Sequence, residues 1–287
     1  MPLALSHLDL GERQRMARIL ISNAVTVGGP RDIGHYGVKA AAELVREFGL
    51  AGIELTTRWG MSSGWVRKQI GGVSVIGVHA SWTWQYCGQN RWNHRATFME
   101  NVKGKLAWLI QPPMKYPLAR NIAIELGAEY LCLHPDIFAG IDNEYVKLQV
   151  FSAAHPILLV ENNCEEGHEG VGWALNFAHE VSARGILLDT NHLGLVPSDN
   201  RAPESAYGVV RKKVKAVHLS DLSRATGRAK LIPGTGELEW LPRLFEWLKD
   251  DGFEGPYVLE VRHPGVPPRE AVKRSLKYLS GYGIHPG

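Results

Sequence analysis

Two kinds of hydrophobic pattern alternate along the chain, and each predicts a different element. Within Val38–Phe48 the apolar residues recur at helical spacing, and Gly49 follows them in the position of a helix cap. Leu241–Leu248 has the same stripe, with Pro242 in its first turn. Between such segments lie short unbroken apolar runs, which are typical of strands in a parallel sheet covered on both faces. The pattern therefore predicts that strand and helix alternate.

Eight apolar runs are predicted to be strands. They are Ile19–Ser22, Ala51–Leu55, Gly72–His79, Glu129–His134, Pro156–Asn162, Gly185–Asp189, Lys215–Asp221 and Pro256–Val261. Helical segments separate them, including a region from Thr97 to Leu126 that Pro112 and Pro113 interrupt. No linker or change in composition divides residues 1–287. We therefore expect an α/β protein with a single-domain (β/α)8 TIM barrel rather than a doubly wound sheet.

The last four predicted strands each carry a possible metal ligand near the C-terminal end. In chain order these ligands are Glu161, Asp189, His218 and Glu260. A single acidic residue after a strand is more often a helix cap or a solvated charge. Barrel enzymes, however, place their sites at these strand ends, where the four side chains would converge. Three carboxylates this close would raise one another's pKa unless a cation neutralised them, so the set predicts a bound metal.

The predicted metal is one divalent ion. Oxygen ligands with one imidazole suit manganese, cobalt, zinc or magnesium, and the sequence does not choose among these four.

Composition and charge exclude several other classes. The chain has 287 residues, of which 45% are hydrophobic and 21% charged, as in a soluble globular protein. A net charge of +3 is too small an excess to predict nucleic-acid binding. Cys87, Cys132 and Cys164 have no paired spacing, which favours a reducing compartment. We expect a cytoplasmic protein without a signal peptide or a membrane span.

These residues resemble a known family. The four strand ends, the spacing Asp189-Thr-Asn-His192 and the segment Pro233-Gly-Thr-Gly-Glu237 are similar to the xylose isomerase-like barrel superfamily. That superfamily contains sugar isomerases, ketose epimerases, dehydratases and nucleases of the endonuclease IV class. Dimers and tetramers are common in it, so a homo-oligomer is one possible state of this protein. The resemblance covers nearly the whole chain and is strongest from Glu129 onward.

The resemblance implies a set of roles. Glu161, Asp189, His218 and Glu260 would hold one metal. Glu161 and Glu260 would also move the proton, one on each face of a substrate carbon, through a metal-bound enediolate. His192 and Arg224 would contact substrate hydroxyls. A further glutamate of these epimerases has no clean match, although Glu165 and Glu166 lie nearby.

Two functions compete with isomerisation or epimerisation of a sugar or sugar derivative. One is a lyase that removes water from a cyclic polyol or keto acid after the same proton abstraction. The other is a nuclease acting at abasic sites. That nuclease would use His79 and His134, but its aspartate and second histidine align with Arg228 and Lys230, which cannot ligate zinc. A sugar-binding module without catalysis is a third possibility, and the complete ligand set argues against it.

The remaining candidates concern substrate binding. His79 and His134 would contact the substrate or support the ligands, or provide a second metal position. Trp82 and Trp84 lie in an aromatic loop whose rings could pack against sugar C–H groups. The basic residues of the loop after the seventh strand form either a solvated loop or a binding site for a substrate phosphate or carboxylate. They are Arg224, Arg228 and Lys230.

Overall fold

A closed barrel of eight parallel strands forms the centre of the computed structural model. The structure describes residues 16–23, 37–57, 61–80, 112–133, 156–164, 170–226 and 228–287, without the side chains of 112–117 and 228–229. Strands β1 to β8 are Ile19–Ser22, Gly52–Thr56, Val75–His79, Tyr130–Leu133, Ile157–Glu161, Gly185–Asp189, Val214–Leu219 and Tyr257–Leu259. Each strand pairs with the next in the chain, and β8 pairs with β1. The predicted (β/α)8 barrel is confirmed, with strand bounds that differ by a few residues.

Helices lie between the strands. Helices α1 to α9 are Val38–Phe48, Ser63–Ile70, Pro112–Leu126, Gly170–Glu180, Thr190–Leu195, Pro197–Arg201, Pro203–Val210, Leu241–Asp250 and Pro268–Ser280. A short 3-10 helix, Arg211–Lys213, follows α7. Helix α1 ends at Gly49, whose φ of 63° is the left-handed cap that the sequence predicts. Helix α3 forms the last part of the predicted helical region, and the part before Pro112 lies outside the described residues.

The hydrophobic core has two layers. The larger layer lies between the strands and the helices, and strand residues such as Ile21, Leu55 and Leu188 face it. The inner layer fills the middle of the barrel with Leu20, Tyr130, Cys132, Leu159, Leu187, Ala216 and Val258. Each fully buried leucine or isoleucine stabilises the fold by about 1.5–3 kcal/mol. Both faces of the strands are thus apolar over most of their length, as the unbroken apolar runs predict.

Two small strand pairs lie outside the barrel. Met16–Ala17 pairs in parallel with His285–Pro286 and joins the two ends of the described chain. Asp221–Ser223 pairs antiparallel with Arg228–Leu231 directly after β7, and the register shifts within this hairpin. The hairpin lies at the C-terminal end of the barrel, where it adds residues to the site. Among the described residues no helix is long and apolar enough to cross a membrane.

Candidate active site

The site lies where the interior of the barrel changes from apolar to polar. Side chains two positions apart on a strand point to the same face, so the residue two positions beyond the inner layer also faces inward. On the last four strands these residues are Glu161, Asp189, His218 and Glu260, all of them buried. The alternation of side chains along the strands therefore directs all four predicted residues into the barrel.

His218 lies at the centre of this set. Its Nδ1 atom is 3.0 Å from Glu161 Oε1, 3.5 Å from Glu260 Oε2 and 3.7 Å from Asp189 Oδ2. On the other side of the ring, Nε2 is 2.8 Å from Glu54 Oε1. Burial by itself would lower the pKa of the imidazole, but the carboxylates, Glu260 first, outweigh burial and raise it well above its usual value. Three carboxylates thus surround one ring nitrogen.

Glu161 lies between two histidines. Its Oε2 atom is 2.7 Å from Nε2 of His79, and its Oε1 atom faces His218. The two imidazole rings are 5.5 Å apart between centroids. Burial would raise the pKa of Glu161, but His218 and His79 hold that pKa well below its usual value. The Glu161 carboxylate is therefore ionised and fixed in orientation.

Asp189 uses its two oxygens differently. Oδ1 accepts hydrogen bonds from the backbone N–H groups of Asn191 at 2.6 Å and His192 at 3.0 Å, and so caps helix α5. Oδ2 faces His218 and Lys230. The cap places the ring of His192 beside the site, with Nδ1 2.7 Å from the carbonyl of Asn162 and 3.7 Å from Glu161 Oε1. The Asp-Thr-Asn-His spacing is thus the first turn of a helix whose capping residue also faces the barrel.

Lys230 provides the positive charge at the mouth of the barrel. Its Nζ atom is 2.5 Å from Asp189 Oδ2 and 2.6 Å from Glu260 Oε2. The backbone at Lys230 has a φ of 62°, a left-handed conformation that is costly for a residue other than glycine. Burial would raise the pKa of Asp189, but the charges of His192 and Lys230 outweigh burial and hold the pKa below its usual value. The hairpin is therefore strained at the residue whose ammonium group joins two of the predicted ligands.

Glu54 and Tyr130 belong to the same cluster, although the sequence analysis assigned neither of them to the site. Glu54 is fully buried on β2, and the hydroxyl of Tyr130 donates a 2.6 Å hydrogen bond to its Oε2 atom. Burial would raise the pKa of Glu54, but His218 lowers it below the usual value. One signal was available in the sequence, because an acidic residue inside an apolar strand needs a buried partner.

The clustered side chains could hold a metal ion. Three groups place their ligand atoms within 4.8 Å of one another: His79 with Glu161 and His218, Glu54 with His218 and Glu260, and Glu161 with Asp189 and His192. Each group takes members of the predicted four, but no group of the described residues contains all four. Buried carboxylate oxygens with imidazole nitrogens are a donor set that fits a divalent cation.

A family model for the xylose isomerase-like TIM barrel matches residues 121–282, which is more than half of the chain. The chain belongs to this family. The match includes strands β4 to β8 and therefore all four predicted ligands, and it confirms the resemblance found in the sequence. A search of curated protein sequences gives no significant match.

Solved structures with the same fold include sugar epimerases. L-ribulose 3-epimerase is 15% identical with a TM-score of 0.61, and the match covers 94% of this chain and 95% of that one. For the 3-keto-D-glucoside 4-epimerase from E. coli the identity is 16%, the TM-score 0.60 and the coverage 92% and 99%. A xylose isomerase-like TIM barrel protein from Mycobacterium smegmatis in complex with magnesium has 15% identity, a TM-score of 0.58 and coverage of 94% and 97%. At such identities the likeness shows the fold alone.

The structure describes only some of the other residues that the sequence predicts to bind substrate. Arg224 donates a hydrogen bond to the carbonyl of Gly194, and its Nη1 atom is 3.8 Å from Glu237 Oε2. Arg228 lies in the hairpin strand, where only its backbone is described. Three candidates, His134, Trp82 and Trp84, lie outside the described residues. Of the three basic loop residues, Lys230 has both a described side chain and direct contact with the predicted ligands.

The glycine-rich segment Pro233–Glu237, part of the family resemblance, holds a second buried aspartate. The backbone N–H groups of Gly234 and Gly236 donate to Asp221 Oδ2 at 3.0 and 2.9 Å. A Cβ atom at position 236 would overlap Asp221 and the carbonyl of Leu222. The segment therefore holds the loop after the hairpin against the end of β7. Both N–H groups donate to Asp221 and so are not free to bind a substrate anion.

Proposed function

We propose that this protein is a divalent metal-dependent isomerase or epimerase of a sugar or sugar derivative. The observation that carries the proposal is the convergence of Glu161, Asp189 and Glu260 on Nδ1 of His218, within 3.0 to 3.7 Å. Three buried carboxylates at this spacing favour a cation. Structural similarity to L-ribulose 3-epimerase supports the same class of reaction.

Glu161 and Glu260 are the proposed proton carriers. They extend from β5 and from the residue after β8, so they approach the mouth of the barrel from different sides of its wall. One of the two, as a carboxylate, would take the proton from the carbon next to the substrate carbonyl, and the other, as a carboxylic acid, would give its proton to the opposite face of that carbon. Glu161 is suited to the first role because contacts with His79 and His218 fix the orientation of its carboxylate.

A divalent ion at these ligands would polarise the substrate carbonyl and stabilise the negative charge that develops when the proton leaves. Glu161, Asp189, His218 and Glu260 would hold that ion. Lys230 orients Glu260 through its 2.6 Å contact and offsets part of the negative charge of the cluster. His192 lies beside the cluster, where a substrate hydroxyl could reach it.

Hydrogen exchange in deuterated water tests the proposal. Protein stripped of metal and then loaded with manganese, cobalt, zinc or magnesium would be incubated with a panel of ketoses and their phosphates. We expect deuterium at the carbon beside the carbonyl with at least one of these ions. Glu161→Gln and Glu260→Gln should lose this exchange, whereas Glu129→Gln, a change at an exposed carboxylate paired with Arg18, should keep it. No exchange with any ion and any sugar would contradict the proposal.

Incubation of the metal-loaded protein with other substrates separates the rival functions. A lyase would release water and form a conjugated product that absorbs ultraviolet light. A nuclease would cut duplex DNA with an abasic site, but Lys230 binds Asp189 and Glu260 where that mechanism needs a metal ligand. A single domain over residues 1–287, a cytoplasmic location and a homo-oligomer remain predictions.

A further inference from the structure

A chain of buried polar contacts crosses the barrel from β4 to β7. The hydroxyl of Tyr130 donates to Glu54 Oε2 at 2.6 Å, and Glu54 Oε1 is 2.8 Å from Nε2 of His218. The opposite ring nitrogen, Nδ1, faces the carboxylates of Glu161, Asp189 and Glu260. The relative exposures of Tyr130, Glu54 and His218 are 3%, 0% and 0%, so water does not compete for these contacts.

Gly77 on β3 makes this chain possible. It pairs in register with Tyr130, and a Cβ atom there would overlap the end of the tyrosine ring. Tyr130 belongs to the apolar inner layer, yet its hydroxyl reaches the polar layer where Glu54 lies. The glycine thus leaves the space that the ring needs to deliver a donor to a fully buried carboxylate.

The contact with Glu54 keeps a hydrogen on Nε2 of His218. An ionised carboxylate only accepts hydrogen bonds, so Nε2 must donate to Glu54. Nδ1 carries hydrogen as well when it faces Glu161 Oε1 at 3.0 Å. A metal bound at Nδ1 would replace that hydrogen and leave a neutral imidazole whose remaining hydrogen stays on Nε2, toward Glu54. Histidine ligands of metals commonly have this arrangement, with the second nitrogen fixed by a carboxylate.

We propose that Glu54 and Tyr130 are positioning residues that set the tautomer and the ring orientation of His218 as a metal ligand. Glu54 acts directly on the ring, and Tyr130 holds Glu54 by its second oxygen. The inference rests on the proposed function, because it assumes a divalent ion at Nδ1. If Glu54 only filled space, an apolar side chain of similar size would make the protein more stable. The buried carboxylate therefore argues against a purely structural role.

Metal affinity is the measurement that tests this role. Manganese binding to the purified full chain would be titrated by calorimetry, and the visible absorption of bound cobalt would report the ligand geometry. In Glu54→Gln the amide can turn its NH2 group toward Nε2, which forces the hydrogen onto Nδ1. We expect this variant to bind manganese about 10- to 100-fold more weakly. Tyr130→Phe should bind it about three- to tenfold more weakly, since one hydrogen bond to Glu54 is lost.

Tyr207→Phe is the matched control. The hydroxyl of Tyr207 also donates to a carboxylate, Asp251 Oδ2 at 2.8 Å, in a pair outside the barrel interior. Its loss should lower the melting temperature without changing manganese affinity or the cobalt spectrum. Because Tyr130→Phe only removes a hydroxyl, it keeps the test decisive if Glu54→Gln does not fold.

The outcomes separate this inference from the proposed function. If Tyr130→Phe and any folded Glu54→Gln protein bind manganese as tightly as the parent, with the same cobalt spectrum, the positioning role is wrong. If the parent itself binds no divalent ion, the proposed function fails first. Weaker binding in Glu54→Gln and Tyr130→Phe but not in Tyr207→Phe supports the positioning role, even if the substrate is never identified.

Discussion

Two buried aspartates follow neighbouring strands, and their contacts differ. Asp221, after β7, accepts four backbone hydrogen bonds, from Leu222 and Leu238 at Oδ1 and from Gly234 and Gly236 at Oδ2. Asp189, at the end of β6, accepts two backbone hydrogen bonds at Oδ1.

The other oxygen of Asp189, Oδ2, faces side chains, with Lys230 Nζ at 2.5 Å. Backbone donors are fixed by the fold, whereas an ammonium group can move aside or share its acceptor with an ion. The two aspartates are equally buried, so their partners, rather than their burial, are the basis for predicting a structural role for Asp221 and a chemical role for Asp189.

The largest expected effect is the loss of activity in Asp189→Asn. The amide oxygen can still cap α5, but the charge is lost and an N–H group faces Lys230. We expect the rate of deuterium exchange to fall about 1000-fold or more, which corresponds to about 4 kcal/mol in the barrier. The free energy of unfolding should fall by less than in Asp221→Asn, because the cap of α5 remains and Lys230 keeps Glu260 as an acceptor. A variant with normal exchange and a low melting temperature would give Asp189 the structural role instead.

Asp221→Asn should have the opposite signature. One oxygen is replaced by an NH2 group, so two backbone N–H groups lose their acceptor at a buried position. We expect the free energy of unfolding to fall by about 3 kcal/mol, since each unsatisfied buried donor costs about 1–3 kcal/mol. Urea unfolding measures this loss, and the exchange rate of the folded variant should stay within about threefold of the parent. If Asp221→Asn lost activity while its stability stayed unchanged, the structural role of Asp221 would be wrong.

Lys230→Met tests the exchangeable partner of Asp189. Removing the ammonium group deletes its contacts to Asp189 at 2.5 Å and Glu260 at 2.6 Å. We expect the exchange rate to fall about 10- to 100-fold, because two charge-assisted hydrogen bonds that orient the carboxylates are lost. Lys230→Arg should recover part of this rate, and Lys39→Met, at an exposed position of α1, is the control. An unchanged rate in Lys230→Met would show that the ammonium group is dispensable.

The smallest expected effect is that of Gly236→Ala, which tests the loop around Asp221. The added methyl group would overlap Asp221 and the Leu222 carbonyl, so the loop must shift. We expect a loss of about 1–3 kcal/mol in the free energy of unfolding, as for other overpacked sites, with activity kept. Gly208→Ala is the matched control, because a Cβ atom in that helix meets nothing within 4 Å. It should stabilise the protein by about 0.5–1 kcal/mol.

The fold could be predicted because its signals are local. Unbroken apolar runs such as Gly185–Asp189 and helical stripes such as Val38–Phe48 depend only on neighbouring residues. The alternation of side chains along a strand also indicates which acidic residue faces inward at the last position, as at Glu161. These patterns were enough to propose a barrel and four ligand positions.

The contacts between distant residues were not predictable in the same way. In the sequence, Tyr130 is an ordinary residue of an apolar strand. Nothing near it indicates that its hydrogen-bond partner is Glu54, which is 76 positions away. The sequence leaves Lys230 as either a solvated loop residue or a substrate contact, whereas the structure pairs it with Asp189 and Glu260. Its left-handed backbone belongs to a hairpin with shifted register, which residue type alone does not predict.

The sequence by itself determined the alternation of strand and helix, the family and the residues at the strand ends, because periodicity and residue type are properties of short segments. Only the tertiary structure decided which nitrogen of His218 faces Glu54, which buried aspartate is satisfied by the backbone and where the ammonium of Lys230 lies. Those outcomes depend on distances between strands that are far apart in the chain, and barrel closure fixes these distances.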